Sequence, residues 1–318
     1  MLTLRAIFLS VIIAEQMKKQ YLTYLISGIV TASLVSCGGE PEKPEIPQPE
    51  NVETLSPAEP SQTWGFSSEG GNTYTVPSPN ELFSIIKQSN LGYMDGLIST
   101  EAVNYSSSKA QALNFGRITA DIAYTASYEK FQESITNFDN LRKIGDDLGI
   151  SYVFDEMMVS RVTDNMDNPD SLEVISTDSY QAIIAMLEQN EKGSTLAIIA
   201  AGGFVESVYI LTSLIDEYSD DNELIQRLAD QKLVMENVLD YLNLYAEETR
   251  VQEVMTEMES VSDVFLNLDE EKVSADMATD NDKVVLGGSR ILMSAEEFNE
   301  LKAAAANYRN EFSNPSQS

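Results

Sequence analysis

Apolar and polar positions fall into three regimes along the 318-residue chain. An uncharged, largely apolar run covers Tyr21 to Val35, and from Gly38 to about Pro77 Pro and Glu dominate while aliphatic side chains are scarce. From Ser78 onward apolar residues recur every three or four positions. Tyr124, Tyr128, Phe131, Ile135 and Phe138 follow steps of four, three, four and three, and Leu224, Leu228, Gln231, Met235, Val238, Leu242 and Tyr245 keep the same rhythm. Such spacing puts one apolar stripe on an α-helix. Aromatic residues in a stripe can line a groove, but core packing is their default role. Strict alternation, the mark of a half-buried strand, is nearly absent. The one candidate is KVVLGGSRILM, Lys283 to Met293, where Gly287-Gly288 separates two short apolar runs and predicts a small hairpin near 284–292.

Helix boundaries support the same reading. Ser78-Pro79-Asn80-Glu81 offers an N-cap serine, Pro at the first helical position and Glu at the third, a capping box that predicts a helix to about Asn90. Asp220 to Glu223 and Ser294 to Glu297 mark two more starts, each acidic in the first turn as the helix dipole favours. Gly149 after Leu148 reads as a C-terminal stop. Residues 78–312 are thus expected to form one all-α domain, an antiparallel assembly of about eight helices, with 313–318 a disordered tail. A degenerate helical repeat stays open as the architecture, although no Trp, Gly, Tyr and Ala pattern recurs at the period of tetratricopeptide arrays.

The most apolar stretch of this body is LAIIAAGGFVESVYILTSLI, Leu196 to Ile215. It is long enough to span a bilayer, but Gly202-Gly203, Ser207 and Glu206 weaken that reading, and it is expected to be the central buried helix. The paired glycines would let a neighbouring helix approach closely, at some expense of helix propensity. Glu206 would then be a charge in apolar surroundings, a group that must be paired or neutralised. Arg117, with Asp121 one turn further on the same helix, is the expected partner. Glu206, Arg117 and Asp121 form the one internal polar cluster the sequence suggests, read as a buried ion pair in preference to a catalytic acid.

Charge narrows the partners. Twenty Lys and Arg stand against 51 Asp and Glu, a formal net charge of −31. Nucleic acid and anionic head groups need a basic footprint and are disfavoured. Solubility is the simplest account of the excess acid. The runs DNMDNPD (Asp164 to Asp170) and DEYSDDNE (Asp216 to Glu223) lack the spacing of an EF-hand loop and read as solvated loops, so no metal site is assigned.

The only cysteine, Cys37, stands where the apolar run gives way to the Pro/Glu stretch. Upstream lie the basic pair Lys18-Lys19, the apolar run and small residues, the layout of a secretory signal peptide. The box Leu34-Val35-Ser36-Cys37 resembles the lipobox of bacterial lipoproteins. That resemblance implies a diacylglycerol on the Cys37 thiol, cleavage just before it, and a further acyl chain, such as palmitate, on the new amino terminus. The first sixteen residues fit no part of this layout, which leaves Met17 open as an alternative translation start to Met1. Residues 1–36 are therefore expected to be removed, leaving about 17 basic and 50 acidic side chains. Residues 37–77 would be the lipidated cysteine and a flexible linker that cannot bury enough apolar surface to fold. Trp64 and Phe66 interrupt its character and are expected to dock on the folded domain.

The segment ALNFGRITADIAYTASYEKFQESITNFDNLRKIGDDLGI, Ala112 to Ile150, together with the lipobox, resembles uncharacterised helical lipoproteins of Bacteroidetes-type bacteria. That group carries no established activity, so the likeness implies a cell-envelope address and a helical fold only. By analogy with lipoproteins, Gly38 after the cysteine points to the outer membrane. Glu40, Glu42 and Glu45 are reminiscent of an acidic signal for surface display, placed later than that signal usually lies.

What is missing shapes the chemistry. Without histidine, and with its one thiol acylated, the chain cannot build a Ser-His-Asp or Cys-His site or the shell zinc prefers. No G-x-S-x-G, S-x-x-K or phosphate loop occurs, and no cofactor is implied. Two functions remain: a non-catalytic binding or scaffold module for an envelope protein, peptide or glycan, which is favoured, and a carboxylate-dependent hydrolase of envelope polymers or glycans.

Overall fold

A computed structural model of the chain describes residues 65–67, 73–75, 91–154, 160–161, 164–165, 169–273 and 288–315. Cys37, the segment before it, most of the linker and the capping box at Ser78 lie outside the described residues. The helices are α1 (Ser108–Ser127), α2 (Phe131–Asp147), α3 (Pro169–Gln189), α4 (Gly193–Leu214), α5 (Glu223–Asp230), α6 (Lys232–Asn243), α7 (Thr249–Glu257), α8 (Glu259–Leu266) and α9 (Ala295–Ser313), with a 3₁₀ turn at Ser151–Val153. Two short strand pairs accompany them, β1 (Gly65–Ser67) with β2 (Thr73–Thr75) and β3 (Glu270–Val273) with β4 (Gly288–Ile291), both antiparallel. The protein is all-α in class.

α4 is the centre of the fold and packs against α1, α3, α6, α7 and α9. Nearly every residue from Gly193 to Leu214 is buried, Glu206 included. α4 is long and apolar enough to cross a membrane, yet 83% of its apolar window is already covered by the rest of the protein. Each fully buried Leu, Ile, Val or Phe contributes about 1.5–3 kcal/mol, and that surface is spent on neighbouring helices.

Small residues allow the closest approach, between α1 and α4. A Cβ added to Gly116 would overlap the Ile199 carbonyl oxygen and stand 2.6 Å from the Gly203 nitrogen, and one on Gly202 would overlap the Leu113 carbonyl. The two backbones are in direct contact there, which any larger side chain would prevent.

The caps behave as their sequences dictate. Asn222 accepts from the Leu224 amide at the start of α5, and Ser294 and Glu297 close a complete capping box on α9. Gly149 follows the end of α2 with φ +68°, a backbone that favours glycine.

Four expectations need correction. The hairpin near 284–292 has another partner: β4 pairs with β3, Gly288 opposite Val273 and Ile291 opposite Glu270. Gly288 is therefore a strand residue, not a turn, and the Leu292 amide donates to Asp269 O to extend the pairing. The stretch 37–77 is not linker throughout, since β1 and β2 pair within it, where Phe66, Thr73, Tyr74 and Thr75 supply residues that favour strands. The aromatic stripe from Tyr124 to Phe138 is not one helix. α1 ends at Ser127, Glu129 takes φ 57°, and Phe131 opens α2. The stripe from Leu224 to Tyr245 is likewise divided at Gln231, where α5 gives way to α6.

Tyr124, Tyr128 and Phe138 of the first stripe and most of the second nonetheless pack on the core. Tyr124 is fully buried and stacks on Tyr93 with ring centroids 5.2 Å apart, while Leu228, Met235, Val238 and Leu242 are buried beneath the second stripe.

Candidate functional site

Where α1, α4 and α9 meet, four ionisable side chains share the interior. On α1, Asn114, Arg117 and Asp121 are spaced by three and four residues, so they stand on one face. On α4, Glu206 lies one turn beyond Gly202, and Asp121 lies just over one turn beyond Gly116. The helix contact at the glycines is thus followed by two carboxyl groups brought close together. On α9, Arg309 projects inward from the turn before Phe312.

Glu206 is 0% exposed and is held by Arg309, whose Nε donates to Oε2 at 3.0 Å and whose Nη2 donates to Oε1 at 3.4 Å. The Arg309 guanidinium also lies 4.8 Å from the Tyr209 ring centroid, a cation–π contact. Arg117 is occupied within its own helix. Its Nη1 donates to Asp121 Oδ2 at 2.7 Å and its Nε to Asn114 Oδ1 at 2.9 Å. Asn114 in turn donates to Phe312 O at 2.8 Å, so the amide ties α1 to the end of α9.

The expected Glu206–Arg117 pair is therefore corrected: the residue bonded to Glu206 is Arg309. α9 crosses α4 at the level of Glu206, while Arg117 is turned towards Asp121 one turn along α1. Arg117 still senses the charge of Glu206. Burial opposes its own charge, and the Asp121 and Glu206 carboxylates outweigh that to hold its pKa above the ordinary arginine range. All three expected cluster residues, Glu206, Arg117 and Asp121, do belong to one buried network. Arg309, Asn114 and Tyr105, which burial and an Arg117 hydrogen bond place beside it, had no sequence signal beyond a cation in an amphipathic C-terminal helix.

Asp121 is also 0% exposed, and its Oδ1 has no hydrogen-bond donor. Burial first, then the Glu206 charge, push its pKa well above the ordinary carboxylate range, against the pull of Arg117; the Glu206 side chain also acts on it as a hydrogen-bond neighbour. The arrangement can store charge and hold three helices in register. Both of its carboxyl groups are fully buried, so the Asp121–Glu206 pair cannot meet a polymer substrate and does not supply the reachable acid pair a hydrolase needs.

The acidic run Asp216 to Glu223 is a mostly exposed connection between α4 and α5. Among the described residues no group of three or more Asp, Glu, His or Cys is arranged to hold a metal ion.

Fold and cluster together define an all-α protein clasped by a buried charge network. Comparison with protein-family models, with curated proteins and with solved structures gave no match.

Proposed function

We propose that the chain is an exported lipoprotein, anchored by acyl chains on Cys37, whose helical body serves as a non-catalytic binding or scaffold module for another component of the cell envelope. The observation that carries the reading is the box Leu34-Val35-Ser36-Cys37, placed after a basic pair and an apolar run and holding the only cysteine of the chain. Each buried methylene contributes about 0.8 kcal/mol, so two or three acyl chains hold a protein on a bilayer where one binds reversibly. The Pro/Glu-rich residues that follow would act as a spacer, and Gly38 favours the outer membrane. The acidic body suits partners that are proteins, peptides or glycans and disfavours nucleic acid.

The test is fractionation of cells fed a labelled fatty acid. Wild-type chain should carry label and enter the detergent phase, while Cys37→Ser should accumulate as an unlabelled precursor. Wild-type protein recovered free of label in the soluble periplasmic fraction would contradict the proposal. Crosslinking and pull-down of the lipidated protein from its own envelope then identifies the partner.

A further inference from the structure

We propose that the α1–α4–α9 junction is a proton-dependent clasp, in which one proton on Asp121 Oδ1 is donated to the Glu206 carboxylate. The geometry calls for it. Asp121 Oδ2 is taken by Arg117 at 2.7 Å and both Glu206 oxygens are taken by Arg309, yet Asp121 Oδ1 is buried without any donor. A carboxylate oxygen left bare in the interior is costly, and its neighbour, the Glu206 side chain, has only acceptor atoms. A proton between them turns two facing acceptors into a donor and an acceptor. Glu206 has the capacity, since a carboxylate offers about four lone-pair sites.

The charged groups that act on this proton come from α1, α4 and α9. α1 contributes Arg117, α4 contributes Glu206 and the Tyr209 ring beneath Arg309, α9 contributes Arg309, and Tyr105 approaches Arg117 from the segment before α1. With Asp121 neutral, two arginines face one carboxylate. Arg309 keeps its pair with Glu206 over the Tyr209 ring, and Arg117, whose carboxylate partner is then neutral, keeps oxygen acceptors on Asp121 and Asn114. Raising the pH transfers the proton to hydroxide and leaves two carboxylates face to face in the interior, which loosens the contact between α1 and α4 and, through Arg309 and Asn114, the seat of α9.

The sign follows from linkage. A carboxyl whose pKa is higher in the folded than in the unfolded chain gives stability that is full below the unfolded value, about 3.9, and is lost as pH rises through the folded value. Asp121→Asn keeps a neutral side chain that donates to Glu206 and accepts from Arg117, and it does not titrate.

Infrared spectroscopy of the full-length protein at neutral pH should show the carbonyl stretch of a protonated carboxyl that is missing from Asp121→Asn, and in wild type that band should vanish as pH is raised. In thermal unfolding the variant should gain on wild type as pH increases, the difference in Tm growing from acid to alkaline solution. A wild-type spectrum with no protonated carboxyl at neutral pH would overturn the proposal even if the variant failed to fold. So would an Asp121→Asn protein whose Tm falls further below wild type as pH rises.

Discussion

Glu206 is the residue on which the interior turns. In the sequence it was visible as a lone carboxyl in an apolar run, and its burial follows from that context. Its partner was not visible, because Arg309 is 103 residues away and nothing local distinguishes it from Lys302, the other cation on α9. Only the crossing of α9 over α4 pairs them. Removing the charge from Glu206 leaves Arg309 beside a neutral amide in a largely dry site. Breaking a buried pair in this way costs about 3–5 kcal/mol, and Glu206→Gln should lie near the lower end because Arg309 keeps some contact with water. Denaturant unfolding reads the loss; a silent substitution would mean the pair is not buried. The glycines offer a second comparison. Gly202→Ala drives a methyl into the Leu113 carbonyl and should destabilise by about 1–3 kcal/mol. Gly203→Ala meets its nearest atom, Gly116 O, at 3.3 Å and gains up to about 1 kcal/mol of helix propensity, so it should be far better tolerated. Equal losses in the two variants would argue against the α1–α4 contact.

Among the elements, helices were legible and their interruptions were not. The four-three rhythm of the stripes continues across the turns at Glu129 and Gln231 because the helices on either side lie over the same core, so the apolar phase carries on while the backbone breaks. Caps proved more informative than periodicity, since Ser294 and Asn222 each sit at a true N-terminus. The β3–β4 pair escaped the sequence for the opposite reason. Gly287-Gly288 resembles a local turn, but β4 finds its partner in Glu270–Val273, a strand with two acidic residues and no alternation to announce it. At this scale the capping box on α9 is the quantity to measure. Ser294→Ala removes the acceptor for the Glu297 amide and should lower stability by about 1 kcal/mol. Circular dichroism melts resolve that difference, and an unchanged Tm would mean α9 frays at its start without consequence for the fold.

For the whole molecule, the all-α class was readable from spacing alone, whereas the placing of α4 at the centre rested on its composition: a helix this apolar in an acidic chain has to be covered by the rest of the protein or by lipid. The structure covers it with protein. A chain beginning at Gly38, without signal segment or cysteine, should therefore remain in the supernatant when membranes are sedimented; recovery in the pellet, released only by detergent, would show that α4 enters the bilayer. The lipoprotein proposal then leaves attachment to Cys37. Intact-mass spectrometry of the full-length protein, extracted from the membranes of cells that export it, reads the anchor directly. The lipoprotein proposal predicts a mature chain whose first residue is Cys37, heavier than its sequence by a diacylglycerol and a further acyl group. A chain that retains residues upstream of Cys37, with a free thiol open to alkylation, would contradict it.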